Sequence, residues 1–206
     1  MKGVGYDLGS ELARHLGVPF EAVLYPSVGA LFDDAKRGAW DATFNGVTSE
    51  REKYLDYTPP HLEIEFGYLV PGESSLSNTA DADRPGVRIV VPEKGALDSL
   101  LTRELKNAIL IRAAGLSGAL QLLKSGGADA FGANKANLFQ MMDHFPGSRV
   151  LEGRSGSETQ ALLIPKGSPA GLAYARTFIE DAKARGLVQA AIDRAGLRGA
   201  RVASGK

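Results

Sequence analysis

The chain has 206 residues, of which 44% are hydrophobic and 23% are charged, and its 24 basic residues balance 24 acidic ones. This length allows one large domain or two small ones, and the hydrophobic content suffices for a core. The balanced charge gives no electrostatic case for binding nucleic acid or an anionic membrane. The chain has no cysteine, which excludes disulfides, thiolate metal sites and cysteine nucleophiles. Its three histidines lack metal-ligand spacing, so we expect neither a metal nor a cofactor.

The N-terminal part predicts alternating helices and strands. Apolar residues at helical spacing predict a first helix over residues 8–16, with Asp7 as its N-cap. Residues 18–24 (VPFEAVL) are strand-like, residues 26–38 predict a second helix, and residues 41–44 predict a short strand. No strand precedes the first helix in this order, which is an unusual start for an α/β domain.

Two long predicted strands, at residues 62–71 and 159–165, bracket the middle of the chain. Between them, strands alternate with helices over residues 87–151, a pattern typical of βαβ units and a mostly parallel sheet. Two further helices are predicted at residues 169–185 and 187–195, followed by a polar tail. The two long strands therefore suggest a hinge between two α/β lobes, with a ligand cleft between the lobes.

Residues 41–60 (DATFNGVTSEREKYLDYTPP) contain the strongest candidate for a binding site. A short strand leads through a tight Asn45-Gly46 loop to a helix start at Thr48, and Arg51 follows closely. Backbone N–H groups and a forked guanidinium that converge on one point hold a carboxylate well. The alternative is a capped helix with a solvated arginine.

Several short blocks, in the same order, resemble the type 2 periplasmic solute-binding proteins of ABC importers, in the family 3 branch. The blocks are GYDLGSELA at residues 5–13, GAWD at 38–41, TSER at 48–51, DYTPP at 56–60, SGGADA at 125–130, ALLIPKG at 161–167 and ARG at 184–186. The resemblance implies an α/β fold of two Rossmann-like lobes joined by a hinge of two crossing strands. We place lobe 1 at residues 1–68 with 163–206, and lobe 2 at residues 69–162.

The resemblance also implies which residues bind the ligand. In such proteins an arginine of the first lobe, with the backbone amides just before it, holds the carboxylate of the solute. A glycine-containing loop that opens a helix of the second lobe adds further N–H groups. The alternative for this second loop is an ordinary βα turn. On this sequence the two groups map to Arg51, Thr48, Gly46, Asn45 and Phe44 in lobe 1, and to Gly95, Ala96 and Leu97 in lobe 2.

Two further candidate residues depart from the family pattern. Asn134 stands where amino-acid binders of the family carry an aspartate that pairs with the ammonium of the ligand. A neutral amide supplies no countercharge, so we expect a ligand other than a standard α-amino acid, for example a carboxylate without the amine. The alternative is that another acid, such as Glu158, replaces the aspartate. His61 stands where the family has a tyrosine, either as a pocket donor or as a rim residue.

Family members begin with a signal peptide and a first strand central to lobe 1, and the sequence as given starts after both. Three hypotheses follow from this difference. The sequence is truncated, the lobe is rearranged, or a strand from another chain fills the gap in a dimer or strand-swapped oligomer.

The resemblance implies the substrate-binding component of an ABC importer, which closes two lobes on a small carboxylate-bearing solute, amino-acid-like or organic acid. It also implies periplasmic localisation, an ABC transporter permease as partner and no catalytic residues. One alternative is an enzyme similar to cyclohexadienyl dehydratases, which needs a general acid among Glu63, Glu65, Glu158 and His61. Another is a non-exported ligand-sensing domain on the same fold.

Overall fold

Helices and strands alternate along most of the computed structural model, which describes residues 3–25, 28–35, 37–48 and 51–204. Within these residues the helices are α1 (Val4–Leu16), α2 (Val28–Ala35), α3 (Ala96–Glu104), α4 (Gly115–Lys124), α5 (Lys135–Met142), α6 (Pro169–Ala184) and α7 (Leu187–Ala195). The strands are β1 (Thr43–Gly46), β2 (Leu55–Tyr57), β3 (Leu62–Val70), β4 (Arg88–Pro92), β5 (Ile109–Ala113), β6 (Ala130–Asn134), β7 (Arg149–Val150), β8 (Ser157–Pro165) and β9 (Ala200–Val202). Two short 3₁₀ helices lie at Arg51–Lys53 and Thr79–Ala82.

The chain divides into two compact units. Unit 1 comprises Met1–Glu63, Thr159–Leu197 and Arg201–Lys206, and unit 2 comprises Ile64–Glu158 and Arg198–Ala200. The long strands β3 and β8 each contribute residues to both units.

Unit 1 is built on the C-terminal part of β8. Strands β1 and β2 both pair with it in antiparallel orientation, so that Phe44 lies opposite Leu162 and Leu55 lies opposite Pro165. Helices α1 and α6 both pack against α7. Leu162 is fully buried and packs with Ile179 of α6 in one core cluster. A second core cluster joins α2 to the sheet through Phe32, Trp40 and Leu55.

Unit 2 has a mixed sheet in the order β3–β6–β4–β5. Strand β4 runs parallel to both β5 and β6, whereas β3 runs antiparallel to β6. Consecutive residues of β4 belong to different core clusters, Ile89 and Val91 to one and Val90 to the other. This alternation follows from the two-residue period of a strand, and it explains why β4 reads as a continuous apolar run: both faces of the sheet are covered.

The structure corrects two predicted elements and adds two strands that were not predicted. The described backbone of residues 18–24 forms no strand, and Val18, Val23 and Leu24 are 51% to 73% exposed. Helix α1 begins at Val4, with Gly3 as its N-cap, so the predicted cap at Asp7 is wrong. Strands β2 and β9 were not predicted, and β9 lies within the predicted polar tail. The predicted start of the second helix at residues 26–27 lies outside the described residues.

Asp7 has a different role from the predicted one. Its carboxylate forms a 2.9 Å ion pair with Arg194 of α7, so it ties α1 to α7 instead of capping α1. No helix in the described part of the chain has the length and the apolar character that a membrane span requires.

Candidate functional site

Arg51 returns to the loop that precedes it. Its Nη1 donates to the carbonyl oxygen of Gly46 at 2.8 Å and to Oδ1 of Asn45 at 3.3 Å. The centre of the guanidinium lies 3.9 Å from the ring centroid of Phe32, a cation–π contact. Because the guanidinium is a planar fork with several N–H donors, contacts on its face and on one nitrogen fix its plane. The arginine is therefore held in a defined orientation at the β1 loop.

Thr48 organises the backbone around Arg51. Its hydroxyl accepts from the backbone N–H of Arg51 at 3.4 Å, and its carbonyl oxygen accepts from the backbone N–H of Glu52 and from the hydroxyl of Tyr57, both at 3.3 Å. Thr48 thus caps the short 3₁₀ helix, in the way that the sequence pattern predicts. The two residues between Thr48 and Arg51 lie outside the described part.

His61 packs against Phe44 of β1 and has no exposed surface. The Phe44 ring meets its imidazole edge to face, with 5.2 Å between centroids. Both ring nitrogens are buried and accept or donate no hydrogen bond among the described residues. Burial, and to a lesser extent the charge of Lys183, lowers the pKa of His61 to about 4. The imidazole is therefore neutral at physiological pH, and a position on an exposed rim is excluded.

The second predicted loop, Lys94 with Gly95, Ala96 and Leu97, connects β4 to α3. Lys94 adopts a left-handed backbone conformation, with φ of 59°, and Gly95 is the N-cap of α3. The Leu97 side chain is buried in the core of unit 2, so only its backbone can contact a solute. The N–H groups of Ala96 and Leu97 belong to the first turn of a helix, where helix geometry provides no acceptor.

A carboxylate already stands at this end of α3. Asp98 is buried, its Oδ2 accepts from the backbone N–H of Lys94 at 2.9 Å, and its Oδ1 lies 2.9 Å from Nε of Arg112. The Lys94 amide is therefore used internally. Since Arg112 balances the charge of Asp98, the ion pair does not leave a net negative charge at the helix start.

Asn134 is both the last residue of β6 and the N-cap of α5. Its Oδ1 accepts from the backbone N–H of Asn137 at 2.9 Å, and its Nδ2 donates to Oε1 of Glu158 at 2.7 Å. Because the cap requires an acceptor, the amide nitrogen must point toward Glu158. The structure thus places an acid directly beside the position where the family pattern has one.

The other acidic candidates are engaged in ion pairs. Glu63 receives two hydrogen bonds from Arg201, at 3.1 and 2.8 Å. Glu65 lies 2.7 Å from Nζ of Lys135 and 3.8 Å from Nη1 of Arg154. In the part of the chain that the structure describes, no group of three or more His, Asp and Glu side chains is placed to hold a metal ion.

The structure therefore gathers the predicted residues into groups. In unit 1, Phe44, Asn45, Gly46, Thr48 and Arg51 form one cluster, with His61 packed against Phe44. In unit 2, strands β4 and β6 are parallel neighbours, so the Lys94 loop and Asn134 both lie at the carboxyl ends of these strands. The sequence did not reveal the contact between Phe32 and Arg51, because an aromatic residue at helical spacing is usually a core residue.

Comparisons with known proteins identify the family and the fold of the chain. The sequence profile of bacterial extracellular solute-binding proteins, family 3, matches residues 1–196. No protein of curated function matches the chain significantly in sequence.

Solved structures match over most of the chain. A putative ABC transporter binding component from Wolinella succinogenes, complexed with lysine, is 22% identical with a TM-score of 0.78, over 91% of this chain and 83% of that one. An amino-acid ABC transporter substrate-binding protein from Streptococcus pneumoniae, bound to L-arginine, is 20% identical with a TM-score of 0.76, over 94% and 82%. An ancestral amino-acid-binding protein described as a precursor of cyclohexadienyl dehydratase is 22% identical with a TM-score of 0.74, over 91% and 82%. These likenesses establish the type 2 periplasmic binding fold.

Proposed function

Because the chain belongs to the bacterial extracellular solute-binding proteins of family 3, we propose that it is the substrate-binding component of an ABC importer for a small carboxylate-bearing solute. The observation that carries this proposal is the orientation of Arg51, whose guanidinium is fixed by Phe32 and by the loop at Gly46. A guanidinium that is pre-organised in this way binds a carboxylate with little loss of conformational freedom.

Two similar structures support a class of solute. One of them holds L-arginine and the other holds lysine. An amino-acid-like solute is therefore the first candidate, and an organic acid is the second. A solute-binding protein of an importer works outside the cytoplasmic membrane and delivers its solute to a permease, and we assign both properties to this chain.

An enzyme on this fold is the alternative that the dehydratase precursor raises. A general acid for such a reaction sits in an environment that favours its protonated form. Glu63 and Glu65 instead lie against Arg201 and Lys135, and His61 has a pKa lowered to about 4. The settings of these three candidate residues favour a binding role. Incubation with prephenate or arogenate, followed by measurement of product absorbance, tests for dehydratase activity. Turnover at high protein concentration would show that the chain is an enzyme.

Replacement of Arg51 by alanine tests the carboxylate anchor. The probes are L-arginine, L-lysine, L-glutamate and glutarate, with affinity measured by isothermal titration calorimetry. We expect Arg51→Ala to weaken the best-bound probe by roughly tenfold or more, because a hydrogen-bonded charge pair is worth about 1.5–3 kcal/mol. Arg51→Lys keeps the charge but loses the fork, so its affinity should lie between those of the wild type and the alanine variant.

Arg37→Ala is the matched control, since Arg37 is also in unit 1 and its side chain is 73% exposed. Thermal melting of each variant separates a loss of binding from a loss of folding. Binding by Arg51→Ala within about threefold of the wild type would show that Arg51 is not the anchor, because one charge-assisted bond is worth more than that. A wild-type protein that binds none of the four probes would contradict the proposed function for these solute classes.

A further inference from the structure

The guanidinium of Arg51 lies over a ring that is itself held in place. Phe32 of α2 is 7% exposed, and the centre of the guanidinium lies 3.9 Å from its ring centroid. The ring packs in one core cluster with Trp40 and Leu55. Nε1 of Trp40 donates to the carbonyl oxygen of Leu31 at 2.9 Å, which ties Trp40 to the residue before Phe32. The surface on which Arg51 lies is therefore part of the folded core of unit 1.

Two sets of contacts restrict different motions of the Arg51 side chain. Nη1 donates to the carbonyl oxygen of Gly46 and to Oδ1 of Asn45, which holds one nitrogen at the β1 loop. A group held at one nitrogen can still turn about that nitrogen, and the ring of Phe32 restricts this rotation. Because arginine has many rotamers, binding is weaker when its side chain must first be ordered by the ligand.

The ring orders the guanidinium without competing for its donors. An aromatic face attracts a cation through its quadrupole, whereas a carboxylate binds in the plane of the guanidinium through N–H···O bonds. A carboxylate in the place of Phe32 would instead neutralise the charge that the solute needs. Phe32 therefore has the chemistry that positions Arg51 and leaves its charge available.

A second aromatic residue fixes the backbone from which the Arg51 side chain extends. Tyr57 of β2 packs against the cluster that contains Phe32, and its hydroxyl donates to the carbonyl oxygen of Thr48 at 3.3 Å. The same carbonyl oxygen accepts from the backbone N–H of Arg51 at 3.1 Å. Burial raises the pKa of Tyr57, so its hydroxyl is protonated and can donate at neutral pH. Tyr57 thus holds the start of the 3₁₀ helix Arg51–Lys53.

We propose that Phe32 and Tyr57 are positioning residues for the carboxylate of the solute, which act through Arg51 and not by contact with the solute. This inference rests on the proposed function and adds two residues, on α2 and β2, to those that determine affinity. Phe32, Arg51 and Tyr57 all belong to unit 1, so the positioning requires no contact from unit 2.

Phe32→Leu tests the ring contact, because leucine keeps an apolar side chain in the cluster and removes the aromatic face. The probe for calorimetric titration is whichever of L-arginine, L-lysine, L-glutamate and glutarate the wild type binds best. We expect Phe32→Leu to weaken this probe by roughly three- to tenfold, the cost of ordering one long side chain on binding. Leu163→Val removes volume from the same cluster on β8 and is the control for a general loss of packing. It should bind within about twofold of the wild type, although it also lowers stability.

A double-mutant cycle shows whether the effect of Phe32 depends on Arg51. In an Arg51→Lys background, which keeps the charge but not the planar fork, Phe32→Leu should cost less than about twofold in affinity. A general structural defect would weaken binding equally in both backgrounds. That result, or wild-type affinity in folded Phe32→Leu, would overturn the role of Phe32. If the leucine variant does not fold, Phe32→Met takes its place, because methionine fills a similar space without an aromatic face.

Tyr57→Phe tests the second residue by removing one hydroxyl and leaving the ring in the cluster. The melting temperature should stay close to that of the wild type, whereas the affinity for the same probe should fall by roughly two- to fivefold, since one hydrogen bond to the loop is lost. The effect should shrink in the Arg51→Lys background. Unchanged affinity in Tyr57→Phe would overturn the role of Tyr57.

The remaining outcomes separate this inference from the proposed function. A probe that Arg51→Ala weakens, but that neither Phe32→Leu nor Tyr57→Phe affects, overturns the inference and leaves the function with Arg51 intact. A wild type that binds none of the four probes overturns the proposed function, and the positioning roles with it.

Discussion

His61 shows how a buried residue couples folding to pH. Its imidazole has no exposed surface and no hydrogen-bond partner among the described residues, and burial lowers its pKa from 6.5 to about 4. The unfolded chain binds a proton on this residue below pH 6.5, whereas the folded chain does not until about pH 4. His61 therefore costs stability progressively as pH falls through that window, up to roughly 3 kcal/mol.

We predict that His61→Leu unfolds with a smaller loss of stability between pH 7 and pH 4.5 than the wild type. At pH 7 the variant should be as stable or more stable, because an apolar side chain leaves no buried nitrogen unpaired. Urea denaturation at both pH values measures the difference. His144→Asn, at an exposed position, should follow the wild type, and parallel curves for His61→Leu and the wild type would refute the prediction.

Residues of the two candidate groups differ in how readily the sequence reveals them. The return of Arg51 to its loop follows from a short spacing, since Thr48, Gly46 and Arg51 lie within six residues. The partner of Asn134 lies 24 residues away, and no local pattern links the two. Glu158 could be named beforehand only as one acid near a predicted hinge strand, so the contact itself depends on how β6 and β8 are placed.

At the scale of elements, Asp83 joins two loops of unit 2. Its carboxylate follows the 3₁₀ helix Thr79–Ala82 and accepts from the backbone N–H groups of Lys106, Asn107 and Ala108, at 3.1, 2.7 and 2.9 Å. These bonds, that from Ala108 foremost, lower the pKa of Asp83. They order the turn between α3 and β5, which leads into the parallel strand beside β4.

We predict that Asp83→Ala destabilises the protein by about 1–2 kcal/mol at pH 7, because several backbone donors lose an acceptor at a partly solvated site. A group with a lowered folded pKa contributes its stability above the unfolded pKa and loses it as the pH falls through the folded pKa. The difference in unfolding free energy between the wild type and Asp83→Ala should therefore begin to narrow below about pH 4 and shrink further as the pH falls toward the lowered pKa. Chemical denaturation over a pH series measures it. Asp143→Ala, at an exposed position, should shift stability by less than about 0.5 kcal/mol.

The elements themselves were predicted unevenly. Strand β4 was found from its continuous apolar run, and the helices with long apolar stripes were found from their period, because burial of one face imposes that period. Residues 18–24 have the composition of a strand, but a strand needs a neighbouring strand to pair with its backbone groups, and no described strand pairs with this segment. β9 was missed for the opposite reason, since pairing with β3 makes a strand of only three residues, too few to show a pattern.

At the scale of the whole molecule, exposed apolar side chains in residues 16–24 are a candidate contact between two copies of the chain. Leu16, Val18, Val23 and Leu24 are 50%, 52%, 51% and 73% exposed. Exposed apolar segments favour contact with another chain. A dimer or strand-swapped oligomer stays a prediction, with this segment as its expected contact.

Native mass spectrometry and size-exclusion chromatography of the chain as given, at tens of micromolar, check this prediction. We expect a dimer in the wild type and a monomer in Val23→Thr/Leu24→Lys. Because both side chains are exposed, the double variant should keep the wild-type melting temperature, whereas Gln189→Lys on α7, at another exposed position, should remain dimeric. A wild type that elutes and ionises only as a monomer would exclude the association.

The sequence by itself determined the family and the α/β class, and it predicted that the residues around Arg51 lie together. These depend on short motifs and on the periodicity of buried faces, which are local properties of the chain. Only the tertiary structure decided that His61 is buried without partners, that Phe32 supports the guanidinium, and that Asn134 holds Glu158. Each of these is a contact between segments distant in sequence, and its energy depends on burial and distance, which the order of residues alone does not specify.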